Sequence, residues 1–412
     1  GSTGAPSGPN QASDVGVTAT TIRIGTIVAE NGVLGDTFAP AATGLRAWVE
    51  WINAQGGISG RTVQLSTCDD REDRARTLEC ARRLVEQDKV FALVATNSRA
   101  LGGAATYLNE QGVPVLGFPI NNAFYRFDNF FTIYGTPFAR DNRVVGRNGE
   151  LVTYSTQFRW FKQNLGATKA AVFSYDIAES NQAGAFIAKG LEVEGFQVTR
   201  YVVSFAAPAF DAPVADMQRN GTELVYDSMD PGANRRLCDA MARRGFTVKA
   251  KISTVVGLGD AAADQLNDAC RPVAYIPTDS RVYTDERVPY VKAYNDAMDR
   301  YQRGKPHHQW GLETWEIGEI LRQALVGMGP APTREGFVAF LRSKRDWDVN
   351  GVMTPTLTWA HDPDGLSTST IRDCIGISRW SDDAGGWIEA TPFPFCLDDA
   401  KQFFTPAAEQ GT

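Results

Sequence analysis

Between residues 21 and 124 one pattern runs three times, and it constrains the fold more than any other feature of the chain. An apolar strand-like run is followed by a segment with helical spacing, and then by another apolar run. The strands read TIRIGTIV at 21–28, TVQLST at 62–67 and VFALVA at 90–95, and VPVLGF at 113–118 closes the series. Between the first two, residues 40–53 place Ala41, Leu45, Trp48, Val49 and Ile52 on one face at the 3.6-residue period. Strands alternating with helices specify a parallel sheet covered on both sides. Such sheets collect ligands in the loops at the carboxyl ends of their strands. The loops to inspect are therefore marked before any ligand is named.

At 412 residues the chain exceeds the size at which one core keeps growing, so two domains are expected. A net charge of −7 and a pI near 5.2 argue against nucleic acid or an anionic membrane surface as the main partner. No apolar run approaches the ~20 residues that span a bilayer. Residues 1–16 begin with a small, polar stretch without apolar pattern and read as a flexible linker, which suits either a cytosolic chain or a mature exported one whose signal has been removed.

The six cysteines fall in three local pairs: Cys68 with Cys80, Cys238 with Cys270, and Cys374 with Cys396. An even count in local pairs suits disulfides in an oxidising compartment, with buried free thiols as the alternative. Each closed loop would contribute roughly 3 kcal/mol in the chain-entropy model. No CxxC or Cys/His cluster is present, so a zinc site is not expected; no other metal and no cofactor is expected either.

A second alternating series begins near residue 138. Residues 138–165 suit an extended helix, and 168–174, 197–205, 223–228 and 251–256 read as strands, with helices at 181–194 and 235–244 between them. Residues 273–277 leave this unit, and helical segments return at 288–303, 311–328 and 334–343. The end of the chain changes character: residues 354–359, 374–380 and 386–390 alternate between turn signals at 362–365 and 382–386, as antiparallel strands do. The whole reads as α/β, two Rossmann-like lobes with a cleft between them: 17–134 plus 276–350, and 135–275 plus 351–400, with 401–412 as a tail.

Enzymatic chemistry finds little to stand on. Gly257-Leu-Gly259-Asp-Ala-Ala262 formally matches the dinucleotide fingerprint, with Asp279 about 20 residues later, yet it serves equally as a glycine-permitted turn. No phosphate-binding P-loop, serine-nucleophile elbow or HExxH motif occurs. His307, His308 and His361 lack the neighbours of a nucleophile–base pair. Asp69, Asp70, Glu72 and Asp73 form an acidic cluster just before a helix, where acids cap free N–H groups. The strand-end loops offer more for binding, with Asn97 and Ser98, Asn121 and Asn122, 175–180 and 228–231 carrying small polar side chains. Amide and hydroxyl groups at a helix start suit a polar or anionic solute group, although Ser98 and Asn121 are also plausible helix caps.

The runs Val17-Thr18 with TIRIG at 21–25, INAQGGISGR at 52–61, and CDD at 68–70 with ARRLVEQDKVF at 81–91 resemble solute-binding proteins of ABC importers. The similarity is to the branched-chain amino-acid (leucine/isoleucine/valine-binding protein-like) group with the type I periplasmic binding fold. It extends at lower density from about residue 17 to 395. It implies three crossovers, near 133–135, 275–277 and 349–351, hinge closure on a small solute, ABC permease subunits as partners, and no catalysis. An extracytoplasmic protein acting as a monomer, lipid-anchored before processing, is what such a relationship implies.

Carried over position by position, the carboxylate-binding serine falls on Ser98 with Asn97 beside it, and the fourth-strand loop on Asn121 and Asn122. The covering aromatic falls near Thr37 and Phe38. Second-lobe contacts fall on Ala178, Glu179, Met229, Asp230 and Val256. The acid that pairs with the amino group in amino-acid-binding members has no counterpart, since no carboxylate lies within three residues of Val256. With Tyr134 and Tyr283 as further aromatic surface, the expected solute is a small carboxylate- or amide-bearing molecule, with a free α-amino acid as the alternative. A sensory module of the same fold, or an α/β enzyme built on the Gly257 loop, are the competing functions.

Overall fold

In the computed structural model the described residues are 8–32, 34–120, 123–133, 140–141, 144–145, 150–260, 266–344, 347–354, 359 and 373–406. The first apolar run forms β1 (Thr21–Val28), followed by α1 (Gly35–Ala54), β2 (Thr62–Asp69), α2 (Arg74–Arg82) and β3 (Ala92–Thr96). Then come α3 (Ala105–Glu110), β4 (Val115–Gly117), α4 (Ala123–Arg126), β5 (Phe130–Thr132) and the short pair β6 (Arg140–Asp141) and β7 (Val144–Val145). Strands β2-β1-β3-β4-β5 make one sheet, and every pairing in it is parallel.

The second series contains β8 (Glu150–Tyr154), α5 (Thr156–Leu165), β9 (Lys169–Tyr175), α6 (Ala178–Val193), β10 (Gln197–Val203) and α7 (Asp211–Asn220). It continues with β11 (Leu224–Asp227), α8 (Pro231–Arg243), β12 (Ala250–Ile252) and β13 (Ala274–Thr278). Helices α9 (Pro289–Tyr301), α10 (Gln309–Met328) and α11 (Arg334–Ser343) follow. The described chain ends with β14 (Asp373–Ser381), β15 (Gly386–Glu389), β16 (Phe395–Leu397) and β17 (Gln402–Pro406). The second sheet runs β10-β9-β11-β12-β13-β14-β15, parallel as far as β13 and antiparallel beyond it.

Two units result, Gly1–Val145 with Arg287–Ser369, and Gly146–Glu286 with Thr370–Thr412. In the first, Leu84 in the turn after α2, Leu101 in the 3₁₀ segment Arg99–Gly103, Leu108 of α3 and Phe124 of α4 form one core with Ile27, Leu93, Val115 and Phe130 of the sheet. Helices α1, α9 and α10 belong to the same unit. A Cβ on Gly44 of α1 would lie 2.6 Å from the Gly311 Cα of α10, so this helix crossing admits only glycine at position 44. Thr314 Oγ1 donates to Ala41 O at 3.2 Å and Trp315 Nε1 donates to Gly44 O at 3.0 Å across the same contact.

The INxxGGIxGR segment also has a physical basis. Gly57 stands at φ 74°, where a Cβ would lie 2.0 Å from Arg61 O. The buried Arg61 guanidinium donates to Thr18 O at 2.8 Å, Pro330 O at 2.5 Å and Gln11 O at 3.3 Å. Asn10 donates to Ser59 O at 2.8 Å and Ser13 to Pro332 O at 2.6 Å. The polar composition that suggested a free linker over 1–16 therefore does not keep residues 10–14 off the surface of the first unit.

Several expectations change. Residues 138–165 are not one helix: β8 precedes α5, because residues 150–154 pair with β17 near the far end of the chain. That partner is 402–406, inside the segment expected to be a tail. Residues 275–277, expected at a crossover, lie within β13 and pair with β12 and β14; the chain passes between units at 145/146, 286/287 and 369/370. Helix α7 was not anticipated. The expected strand at 354–359 and turn at 362–365 fall largely or wholly outside the described residues.

The three cysteine pairs are disulfides as expected: Cys68–Cys80, Cys238–Cys270 and Cys374–Cys396, with Cα separations of 5.7, 5.7 and 4.0 Å. The last joins directly opposed positions of β14 and β16. Cys80 sits inside α2 on the turn that faces the end of β2, which is how a mid-helix cysteine reaches its partner.

Candidate functional site

In the first unit, the carboxyl ends of β1, β3 and β4 converge. β3 does not end as a regular strand. Ala95 adopts φ 57°, and the β3–β4 register shifts between Leu93 and Thr96. A left-handed non-glycine residue is a local strain of order 1–3 kcal/mol, and bulges of this kind re-aim the side chains that follow. Here those side chains are Thr96, Asn97 and Ser98. Asn97 is held by its backbone to β1, through Asn97 N to Ile27 O at 3.0 Å and Ala29 N to Asn97 O at 3.3 Å.

Asn97 is fully buried, and neither its Nδ2 nor its Oδ1 has a hydrogen-bond partner. The Oγ1 of buried Thr96 and the indole Nε1 of buried Trp310 are also unpartnered. Trp310 lies in the first turn of α10, whose N-cap is His308, with Nδ1 accepting from Trp310 N at 3.1 Å. Its ring stacks on Phe38 at 5.6 Å between centroids and 14° between planes, and meets Phe118 at 5.7 Å. Unpaired buried donors and acceptors each cost roughly 1–3 kcal/mol. Such atoms also occur elsewhere in both units, at Trp48, Ser174 and Trp347 for example. What marks the end of β3 is that both polar atoms of the Asn97 carboxamide are open beside an open Thr96 hydroxyl, at a strand end where ligands gather.

Beside Asn97 the polar groups are closed. Ser98 Oγ donates to Asp70 Oδ2 at 2.5 Å and accepts from Ala100 N at 3.0 Å. Asp70, with no exposed surface, also accepts from Thr77 Oγ1 at 2.7 Å and Glu72 N at 3.1 Å. Burial pushes the Asp70 carboxyl above the usual carboxylate range. Asp73 caps α2, accepting from Arg76 N at 2.9 Å, and Glu72 pairs with Arg99 at 2.6 Å. The acidic cluster thus caps a helix, as expected, and also stitches two strand-end loops together.

In the second unit, the corresponding strand ends carry a paired network. The buried Lys251 ammonium donates to Asp227 Oδ2, Asn234 Oδ1 and Ser253 Oγ. Asn234 Nδ2 donates to Asp227 Oδ1 at 2.8 Å, and Met229 N donates to the same oxygen at 3.1 Å. An ammonium has three N–H groups, and all three are used. A cavity of about 20 Å³ lies against this network, bordered also by Gly257, Tyr275 and Trp387, with room for about one water molecule.

The sequence-derived residues sort accordingly. Phe38, Asn97 and Ser98 all lie in the first unit, Phe38 stacked on Trp310 and Asn97 and Ser98 adjacent after the end of β3. Asn121, Asn122 and Tyr134 lie outside the described residues. In the second unit Ala178 and Glu179 are exposed in the first turn of α6. Met229 is buried in the core with Tyr175 and Leu237. Asp230 caps α8 through Gly232 N at 2.8 Å and accepts from Tyr175 OH. The Tyr175 hydroxyl is pushed well above its ordinary range by burial and by that carboxylate. Val256 stands in a single 3₁₀ turn, Val255–Gly257, and the buried Tyr283 donates to Asp260 Oδ1 at 2.7 Å.

β12 ends five residues before Gly257, so the glycine loop does not open directly from a strand as a dinucleotide site requires. Sequence reasoning missed Trp310 and Lys251, and within the 95–99 loop that it marked for binding it singled out Asn97 and Ser98 and not Thr96. A tryptophan at the start of an apolar helix reads as core, and nothing local marks a lysine in an apolar strand as buried.

A family model described as periplasmic binding protein matches residues 21–372 of the chain. The chain matches no curated protein. Among solved structures it is similar to a fatty acid ABC transporter substrate-binding protein from Thermomonospora curvata, at 16% identity and a TM-score of 0.70, covering 95% of this chain and 96% of that one. It is likewise similar to the branched-chain amino acid transporter substrate binding protein LivJ from Streptococcus pneumoniae, in complex with isoleucine: 16% identity, TM-score 0.67, 90% and 100% covered. A third is the solute binding protein of an ABC transporter from Rhodopseudomonas palustris BisB5, in complex with 3,4-dihydroxy benzoic acid: 16% identity, TM-score 0.68, 92% and 98% covered. Identities this low speak to fold, whereas the family model spans most of the chain. Its two α/β lobes have the type I periplasmic fold, and the chain belongs to the periplasmic binding protein family.

Proposed function

We propose that this chain is the extracytoplasmic solute-binding subunit of an ABC importer, capturing a small carboxylate- or amide-bearing solute by hinge closure and handing it to permease subunits. It performs no catalysis in this reading. The observation that carries it is the unpartnered carboxamide of Asn97, buried at the carboxyl end of β3 with unpartnered Thr96 Oγ1 in the same strand end. In the same unit the Phe38–Trp310 stack supplies apolar surface for the solute body. A few placed polar groups beside aromatic walls are the common composition of a small-molecule pocket.

Similar folds hold isoleucine, 3,4-dihydroxy benzoic acid or, by name, fatty acids, which supports a solute with an apolar or aromatic portion. Second-unit contacts are assigned to Ala178, Glu179, Met229, Asp230, Val256 and Tyr283, and first-unit contacts also to Asn121, Asn122 and Tyr134. The test is a thermal-shift screen over amino acids, aromatic and fatty acids, and amides. A ligand present at 100 times its Kd raises stability by about 2.7 kcal/mol. Small-angle scattering of a confirmed complex should show compaction; curves identical with and without ligand contradict hinge closure.

A further inference from the structure

Ser98 has no proton to offer a solute. Its hydroxyl hydrogen is directed at Asp70 Oδ2, 2.5 Å away, and its oxygen accepts from Ala100 N at 3.0 Å. Asp70 is fully buried, and among the described residues its partners are two hydroxyls and one backbone N–H, with no cation. Burial favours its neutral form, but all three partners donate to it, which is the set an ionised carboxylate takes and which opposes that shift. The nearby arginines are engaged elsewhere, Arg71 with Asp69 at 3.6 Å and Arg99 with Glu72 at 2.6 Å. A solute carboxylate oxygen seated on Ser98 would therefore lie within about 5 Å of an unneutralised carboxylate, adding one hydrogen-bond length to the Ser98–Asp70 distance.

Asn97 gives an independent indication. Both of its side-chain polar atoms are open, one a donor and one an acceptor. A carboxylate has acceptors only and leaves Oδ1 unsatisfied. A carboxamide presents a donor and an acceptor side by side and satisfies both.

We infer that Asp70 is a specificity-determining residue of the first unit: by taking the Ser98 proton and placing negative charge behind it, Asp70 excludes a carboxylate there. The group received at Asn97 and Ser98 is a neutral carboxamide-type group, and any carboxylate on the solute sits at its other end. This rests on the solute-binding reading above and reverses the role that family resemblance assigns to Ser98.

The experiment is equilibrium titration at neutral pH with matched pairs: benzamide and benzoate, isovaleramide and isovalerate, 3,4-dihydroxybenzamide and 3,4-dihydroxybenzoate. Each is added to the wild-type protein and to Asp70→Asn. The wild type should bind the amide of a pair roughly tenfold or more tightly than the acid, and Asp70→Asn should narrow that ratio by strengthening the acid. The wild-type ratio decides alone if the variant does not fold. Acids binding the wild type as tightly as amides, with no gain in Asp70→Asn, overturn the inference and leave solute binding intact. Binding of no panel member to either protein counts against the solute-binding reading itself, and the inference falls with it.

Discussion

On the first unit Asn97 is buried with both carboxamide atoms unpartnered; on the second Lys251 is buried with three acceptors around its ammonium. Both residues stand at carboxyl ends of parallel strands, Asn97 after β3 and Lys251 within β12 beside its end. The difference lies in what completes them. The Lys251 network is complete within the protein and fixes the 227–234 loop, whereas the Asn97 face is short of partners. A polar group buried and satisfied serves folding, and one buried and unsatisfied is held ready for something else.

The largest expected effect breaks the closed side. Lys251→Met leaves the buried Asp227 carboxylate without its cation and should destabilise the protein by about 3–5 kcal/mol in urea titration. A loss below about 1 kcal/mol would show that the network is no more than surface-like. Next, Asn97→Leu replaces an open carboxamide by an apolar group of similar size. Affinity for a confirmed ligand should fall by roughly 1–3 kcal/mol in calorimetric titration, while the ligand-free Tm holds or rises.

Ser98→Ala removes one donor to Asp70 and the acceptor for Ala100 N. It should lower ligand-free stability by about 1–2 kcal/mol in chemical denaturation. The smallest effect is electrostatic. The Lys249 ammonium, together with the Thr168 amide, holds the Glu223 carboxyl down to about 2. A depressed carboxyl stabilises the fold above its unfolded pKa near 4.3, and that contribution is lost as pH falls through about 2. Because the pair is partly exposed, Glu223→Gln should cost under about 1 kcal/mol at neutral pH and flatten the acid limb of stability against pH.

How much of this was legible beforehand depended on whether the determining partner was local. The alternation at 21–118 specified β1 to β4 because buried parallel strands are written as continuous apolar runs. The cysteine pairs were readable because each closes within one local unit. Residues 150–154 were misread as helix because their partner lies some 250 residues away, at 402–406. At the site, Asn97 and Ser98 were marked by their place after a strand. Their difference was not, since only the fold brings Asp70 to Ser98 and leaves Asn97 alone. Trp310 was hidden in an ordinary helix start and revealed only by its unpartnered indole N–H.

The central claim is that the open polar groups of the first unit receive the solute. It is tested most directly by following the Asn97 side-chain amide and the Trp310 indole N–H in ¹H–¹⁵N spectra, during titration with the strongest ligand from the thermal-shift screen. Both signals should move downfield in step with saturation as each N–H gains an acceptor. Saturation of the protein with both signals unmoved would contradict the account.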